Sequence, residues 1–109
     1  MKYRDLRVGQ LIRDELAKLI IKDFEFPGVV VTVTEVTVDK KLETAAAEVS
    51  ILPSEKAEKV LQALKKGEGY FQNLLNKKLN IKPMPQIRFE LDRGPENAAR
   101  VEKILLDGE

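Results

Sequence analysis

The stretch "LKKGEGYFQNLLNKKL", residues 64–79, decides how this chain folds. Its apolar residues recur at helical spacing, yet Gly67-Glu68-Gly69 interrupts the run, with Lys65 and Lys66 before it and Lys77 and Lys78 after it. Two glycines inside a helix cost about 2 kcal/mol relative to two alanines, so a single straight helix does not account for them. Followed backwards, the apolar stripe starts in "LPSEKAEKVLQAL" with Ala57, Val60, Leu61 and Leu64, and Ser54 is the expected N-cap. Followed forwards, it resumes at Phe71, Leu74, Leu75 and Lys78. The phase survives the glycines but lays a carboxylate, Glu68, on the buried side. The spacing therefore predicts two helices in near-continuity, kinked between Gly67 and Gly69, with the bend turning Glu68 away from the core. A Gly69 held at positive φ in that kink would make a β-branched substitution there costly.

Upstream, Val8, Leu11, Ile12, Leu16, Leu19 and Ile20 form one apolar face, which predicts a first helix from Arg4 to Asp23. Pro27 and Gly28 in "FEFPGVV" break it. The β-branched run "VVVTVTEVTVDK" reads as a strand. Its alternation through Val29, Val31 and Val33 jumps to Val36 and Val38, a slip that a β-bulge near Thr34 and Glu35 absorbs. After the turn "DKKLE", the alternation of Ala45, Ala47, Val49 and Ile51 predicts a second strand, antiparallel to the first. Downstream, "NIKPMPQ" ends the helix pair and "QIRFELD" adds a strand with Ile87, Phe89 and Leu91 on one face. A short terminal helix is expected within residues 95–106, on the apolar Val101, Ile104 and Leu105. The order is α-β-β-α-(kink)-α-β with a short C-terminal helix: an α+β fold with helices on one face of a three-stranded sheet, one domain over residues 1–109.

The chain has 109 residues with no cysteine and no histidine, which excludes disulfides, thiol nucleophiles, imidazole metal sites and histidine acid/base chemistry. No catalytic residue, cofactor or metal is expected. Nineteen Lys and Arg against eighteen Asp and Glu give a net charge of +1, so a nucleic-acid site must be a local patch. The opening "MKYRDLRVGQLIRDEL" carries charges throughout, and no run is long enough to span a bilayer. A cytoplasmic protein without a membrane partner is the expectation.

The densest basic region is Lys65, Lys66, Lys77 and Lys78, with Lys82 and Arg88 just downstream. A bend with little side chain at Gly67 and Gly69 lets a phosphate backbone approach, and the second helix offers unsatisfied N–H groups to an anion. A second account stands beside it: the glycines turn the chain tightly, the lysines are ordinary solvated residues, and Glu68 opposes anion binding. Arg4 and Arg7, with Lys2, form another basic cluster, interleaved with Asp5 near a terminus. Asp39, Glu43 and Asp92 fall at turns and strand ends, where carboxylates are expected for structural reasons. Gly-Glu-Gly lacks the strand context of a phosphate loop. Tyr70 is placed to stack on a base, whereas Phe71 belongs to the stripe.

Three stretches in order, "RDLRVGQLIRDELAKLI", "VTVTEVTVDKKLETAAAEVSIL" and "GYFQNLLNKKLNIKPMPQIRFELD", resemble the bacterial ribosome-binding factor A family along almost the whole chain. The resemblance is carried by Arg4, Arg7 and Val8 in the first stretch, by Asp39, Leu42, Ala45 and Val49 in the second, and by Pro85, Ile87, Phe89 and Asp92 in the third. It implies a type II KH-like fold whose nucleotide loop is replaced by an Ala-x-Gly kink, here Gly67-Glu68-Gly69, with Gln72 where the family commonly has arginine. It also implies a non-catalytic RNA-binding factor for assembly of the small ribosomal subunit, helping mature its ribosomal RNA and supporting growth in the cold. The expected partners are that subunit and its RNA, with the protein itself a monomer. A general KH-like binder of single-stranded RNA, or a protein-interaction domain using its sheet face, are the alternatives.

Overall fold

The computed structural model describes residues 4–24 and 26–92, so the terminal helix expected within residues 95–106 and the basic Lys2 lie outside the described residues. The chain forms α1 (Arg4–Asp23), β1 (Val30–Val38), β2 (Thr44–Leu52), a 3-10 turn (Ser54–Lys56), α2 (Ala57–Lys66), α3 (Glu68–Lys78) and β3 (Gln86–Leu91). β1 and β2 pair as an antiparallel hairpin, and β3 joins the far side of β2 in parallel, giving the sheet order β1-β2-β3. Parallel pairing requires a crossover, which the α2–α3 pair supplies. The result is the expected α+β arrangement with the helices on one face, compatible with a type II KH-like domain.

The phase slip in β1 is a register shift between Val33 and Glu35, and the Thr34 hydroxyl at that point donates to the Glu48 carbonyl at 3.2 Å. In the hairpin turn, one Asp39 carboxylate oxygen accepts from the amides of Glu43 and Thr44 at 2.6 and 3.2 Å. That pairing holds the turn in which Leu42 adopts a left-handed backbone (φ 59°) while burying its side chain. Left-handed geometry is unfavourable for a leucine, and burial of its side chain offsets the strain.

Ile12, Leu16, Val49, Leu64, Phe71, Leu75, Ile87 and Phe89 form the fully buried centre between helices and sheet. Three details depart from the sequence expectation. Leu11 lies 49% exposed, Lys78 is exposed, and Leu19 and Leu74 are only half-buried, because they line an open groove between α1 and α3. Ser54 opens the 3-10 turn and makes no capping bond; α2 begins beyond it without a side-chain cap. Gly9 is buried although no apolar pattern marks it, since a Cβ there would lie 2.8 Å from the Val36 carbonyl oxygen. α1 can approach β1 that closely only through a glycine.

Candidate nucleic-acid interface

The helix pair is broken at one residue, Gly67 (φ −89°, ψ 4°), between α2 and α3. Hydrogen bonding bridges the break: the Gly67 amide donates to the carbonyls of Ala63 and Leu64 at 3.2 and 3.0 Å, and its carbonyl accepts from the Phe71 amide at 3.0 Å. The reason for a glycine is steric, because a Cβ would come within 2.9 Å of Phe24 Cζ. The Phe24 ring lies 4.9 Å from that of Phe71, which meets Phe89 edge-on at 5.5 Å. The kink is thus built over an aromatic cluster that ties the end of α1 to α3 and β3. Gly69 is different. It sits in the first turn of α3 with no atom within 4 Å of its would-be Cβ, and among the described residues only Gly28 is a glycine at positive φ. The expected positive φ at Gly69 therefore does not hold.

Glu68 leaves the apolar stripe, but not for water. Its carboxylate accepts the Phe89 amide at 2.8 Å, and one turn later the Gln72 side-chain oxygen accepts the Ile87 amide at 2.8 Å while its NH2 donates to the Pro85 carbonyl at 3.0 Å. Residues four apart share a helix face, so α3 lays two polar side chains along the outer edge of β3 and satisfies backbone groups that the sheet leaves over. Gln72 is thereby engaged in structure.

α1 and α3 run antiparallel, joined near one end by the Tyr70 hydroxyl donating to Asp23 (2.9 Å) and near the other by the ion pair of Lys78 with Glu15 (3.9 Å). The Arg4 guanidinium donates to the Lys82 carbonyl at 3.0 Å. These contacts set Lys77 and Lys78 beside the middle of α1 and Lys82, just beyond α3, beside Arg4 at its start, one turn from Arg7. Lys65 and Lys66 lie at the kink, about 16 Å away at 1.5 Å per helical residue. The six downstream basic residues therefore do not form one patch. Lys22, which no sequence pattern marked, lines a groove between α1 and α3 with Lys77, Lys78, Leu19 and Leu74. Nothing local announces that proximity, which comes from antiparallel packing.

Arg88 stands apart from all of these, because alternate β3 residues bury Ile87 and Phe89 against the helices and turn Arg88 to the open face. That face is acidic: Glu35, Glu48 and Glu90 are register neighbours in a row across the three strands. Burial, and then the nearby charges of Asp92, Glu35 and Glu90, push the Glu48 carboxyl above the usual carboxylate range. Among the described residues no group of three or more acidic, histidine or cysteine side chains is arranged to hold a metal, and no helix is long and apolar enough to cross a membrane.

A family model described as ribosome-binding factor A matches residues 4–105. The chain is 31% identical over 108 residues to the ribosome-binding factor A of Caldanaerobacter subterraneus subsp. tengcongensis, covering 96% of this chain and 88% of that relative. It is 34% identical over 105 residues to that of Thermomicrobium roseum, covering 94% and 81%. In fold it is similar to the crystal structure of ribosome-binding factor A from Thermus thermophilus, with a TM-score of 0.71 at 22% identity over 83% of this chain and 97% of that one. It is similar too to a Thermus thermophilus ribosome-binding factor A fitted into a cryo-electron-microscopy map of a 30S complex, with a TM-score of 0.65 at 23% identity over 77% and 90%.

Proposed function

This chain belongs to the ribosome-binding factor A family, and from that membership we propose that it is a non-enzymatic assembly factor that binds the immature small ribosomal subunit. It assists maturation of the subunit's ribosomal RNA and supports growth in the cold. The family match over nearly the whole chain carries this reading, and the Thermus relative fitted into a 30S complex supports the choice of partner. The charge distribution is compatible with it. Lysines and arginines lie on the helical layer at the kink, at the end of α3 beside the middle of α1, and where α1 begins beside Lys82, while the open sheet face carries a carboxylate row that repels phosphate. RNA therefore meets the helices, through Lys65 and Lys66 at the Gly67–Gly69 kink, through Lys77 and Lys78 at the end of α3, and through Arg4, Arg7 and Lys82 where α1 begins. With a net charge of only +1, long-range attraction to RNA is weak, so selectivity comes from fit to a structured surface.

Gradient fractionation of a cell lysate at moderate salt, with immunodetection, tests the reading. The protein is expected with free small subunits and largely absent from joined ribosomes. Protein that stays at the top of the gradient, or spreads equally over all ribosomal species, would leave a general binder of single-stranded RNA as the better description.

A further inference from the structure

The groove between α1 and α3 combines three features that a solvated helix seam does not require. Half-buried Leu19 and Leu74 give it an apolar lining, and its volume of about 310 Å³ is enough for a single nucleotide rather than a duplex. The Tyr70 ring is 49% exposed beside it, yet the hydroxyl is held by Asp23 and the ring abuts Phe71 edge-on at 5.7 Å, so the aromatic face is oriented in advance. Lys22 and Lys77 are exposed and, among the described residues, not ion-paired, while the exposed Lys78 pairs at 3.9 Å with a Glu15 side chain that is mostly buried, and its ammonium has further N–H donors to offer a phosphate without leaving that carboxylate. Of the two carboxylates close by, Asp23 is already engaged by the tyrosine.

The geometry points to this groove as a subsite for one unpaired RNA nucleotide, its base stacked on Tyr70 and its flanking phosphates on Lys22, Lys77 and Lys78. The subsite rests on the RNA-binding reading above and gives it a location away from the Gly67 kink. An aromatic face beside a basic groove is the arrangement that binds single strands with little sequence preference, since every base has a π-face and every nucleotide a phosphate. A base paired in a helix cannot reach it.

The chain contains two tyrosines and no tryptophan, so Tyr3→Phe leaves Tyr70 as the sole tyrosine emitter. Titrating that variant with a mixed-sequence RNA hexamer at low salt is expected to quench Tyr70 emission saturably. By anisotropy of a labelled hexamer, adding Tyr70→Ala should weaken binding about 5- to 150-fold, the worth of one stacked base. Tyr70→Phe, which keeps the ring and loses only the hydroxyl, should stay within about threefold. Hexamer binding without quenching, wild-type affinity in Tyr70→Ala, or equal competition by duplex RNA would each overturn the subsite. Sedimentation of the same proteins with small subunits separates the two levels. Co-sedimentation without hexamer binding removes the subsite and keeps the assembly-factor reading, whereas loss of both removes both.

Discussion

A methyl group at Gly9 would sit 2.8 Å from the backbone oxygen of Val36, and backbone in a paired strand cannot swing aside. Gly9→Ala is therefore expected to destabilise by about 1–3 kcal/mol, as overpacking does. At Gly69 the space is open and the backbone helical, so Gly69→Ala is expected to stabilise by roughly 0.5–1 kcal/mol. Thermal melts of the two variants should move in opposite directions, and a lower Tm for Gly69→Ala would restore a special role to that glycine. Only part of this was legible beforehand. The pair Gly67 and Gly69 stood out because helix propensity is read locally, but propensity cannot tell which of them touches a ring. Gly9 carried no signal because its neighbour is a strand far along the chain. Asp39 was legible as a turn residue, since its bonds run to amides four and five positions ahead.

Elements meet in this protein through side chains that satisfy another element's backbone. Gln72 and Glu68 on α3 do this for β3, and Gln72→Leu would leave the Ile87 amide and the Pro85 carbonyl without those partners. A loss of about 1–3 kcal/mol is expected, with faster hydrogen exchange at Ile87; unchanged exchange there would show that the edge is satisfied in another way. Across the sheet, the Glu35–Glu48–Glu90 row sets a pH dependence. Because the folded-state pKa of Glu48 is raised, its protonated form favours the fold: the contribution is complete below the unfolded carboxylate pKa and is lost as pH rises through the folded value. Glu48→Gln is thus expected to raise Tm at neutral pH, with the gain vanishing below about pH 4, where ordinary carboxylates protonate. A gain that persisted at low pH would assign it to something other than charge. The kink itself was foreseen from the stripe, but Glu68 was expected merely to leave the core, because a sequence does not show which strand edge a helix will run beside.

At the scale of the whole molecule, the basic residues divide between the kink, the junction of α1 with the end of α3, and the open sheet face. If three or four lysines meet phosphates, the log–log salt slope of RNA binding should be roughly −2 to −3, and charge reversal at either Lys65 and Lys66 or Lys77 and Lys78 should shrink it by about 1.4. Arg88→Glu should leave the slope unchanged, because Arg88 shares its face with the carboxylate row. Filter binding across a salt series decides this, and a slope that falls with Arg88→Glu would bring RNA onto the sheet.

What the sequence determined by itself was the succession of elements, the bulge in β1 and the break after α2, because periodicity, β-branching and glycine placement act over a few residues of chain. The composition also ruled out histidine and cysteine chemistry. What only the tertiary structure decided was company: Phe24 over Gly67, Gln72 along β3, Lys22 beside Lys77, Arg88 among glutamates. Those neighbours follow from how helices pack on a sheet and on one another, and a one-residue rotation or slide that alters no local preference would change every one of them.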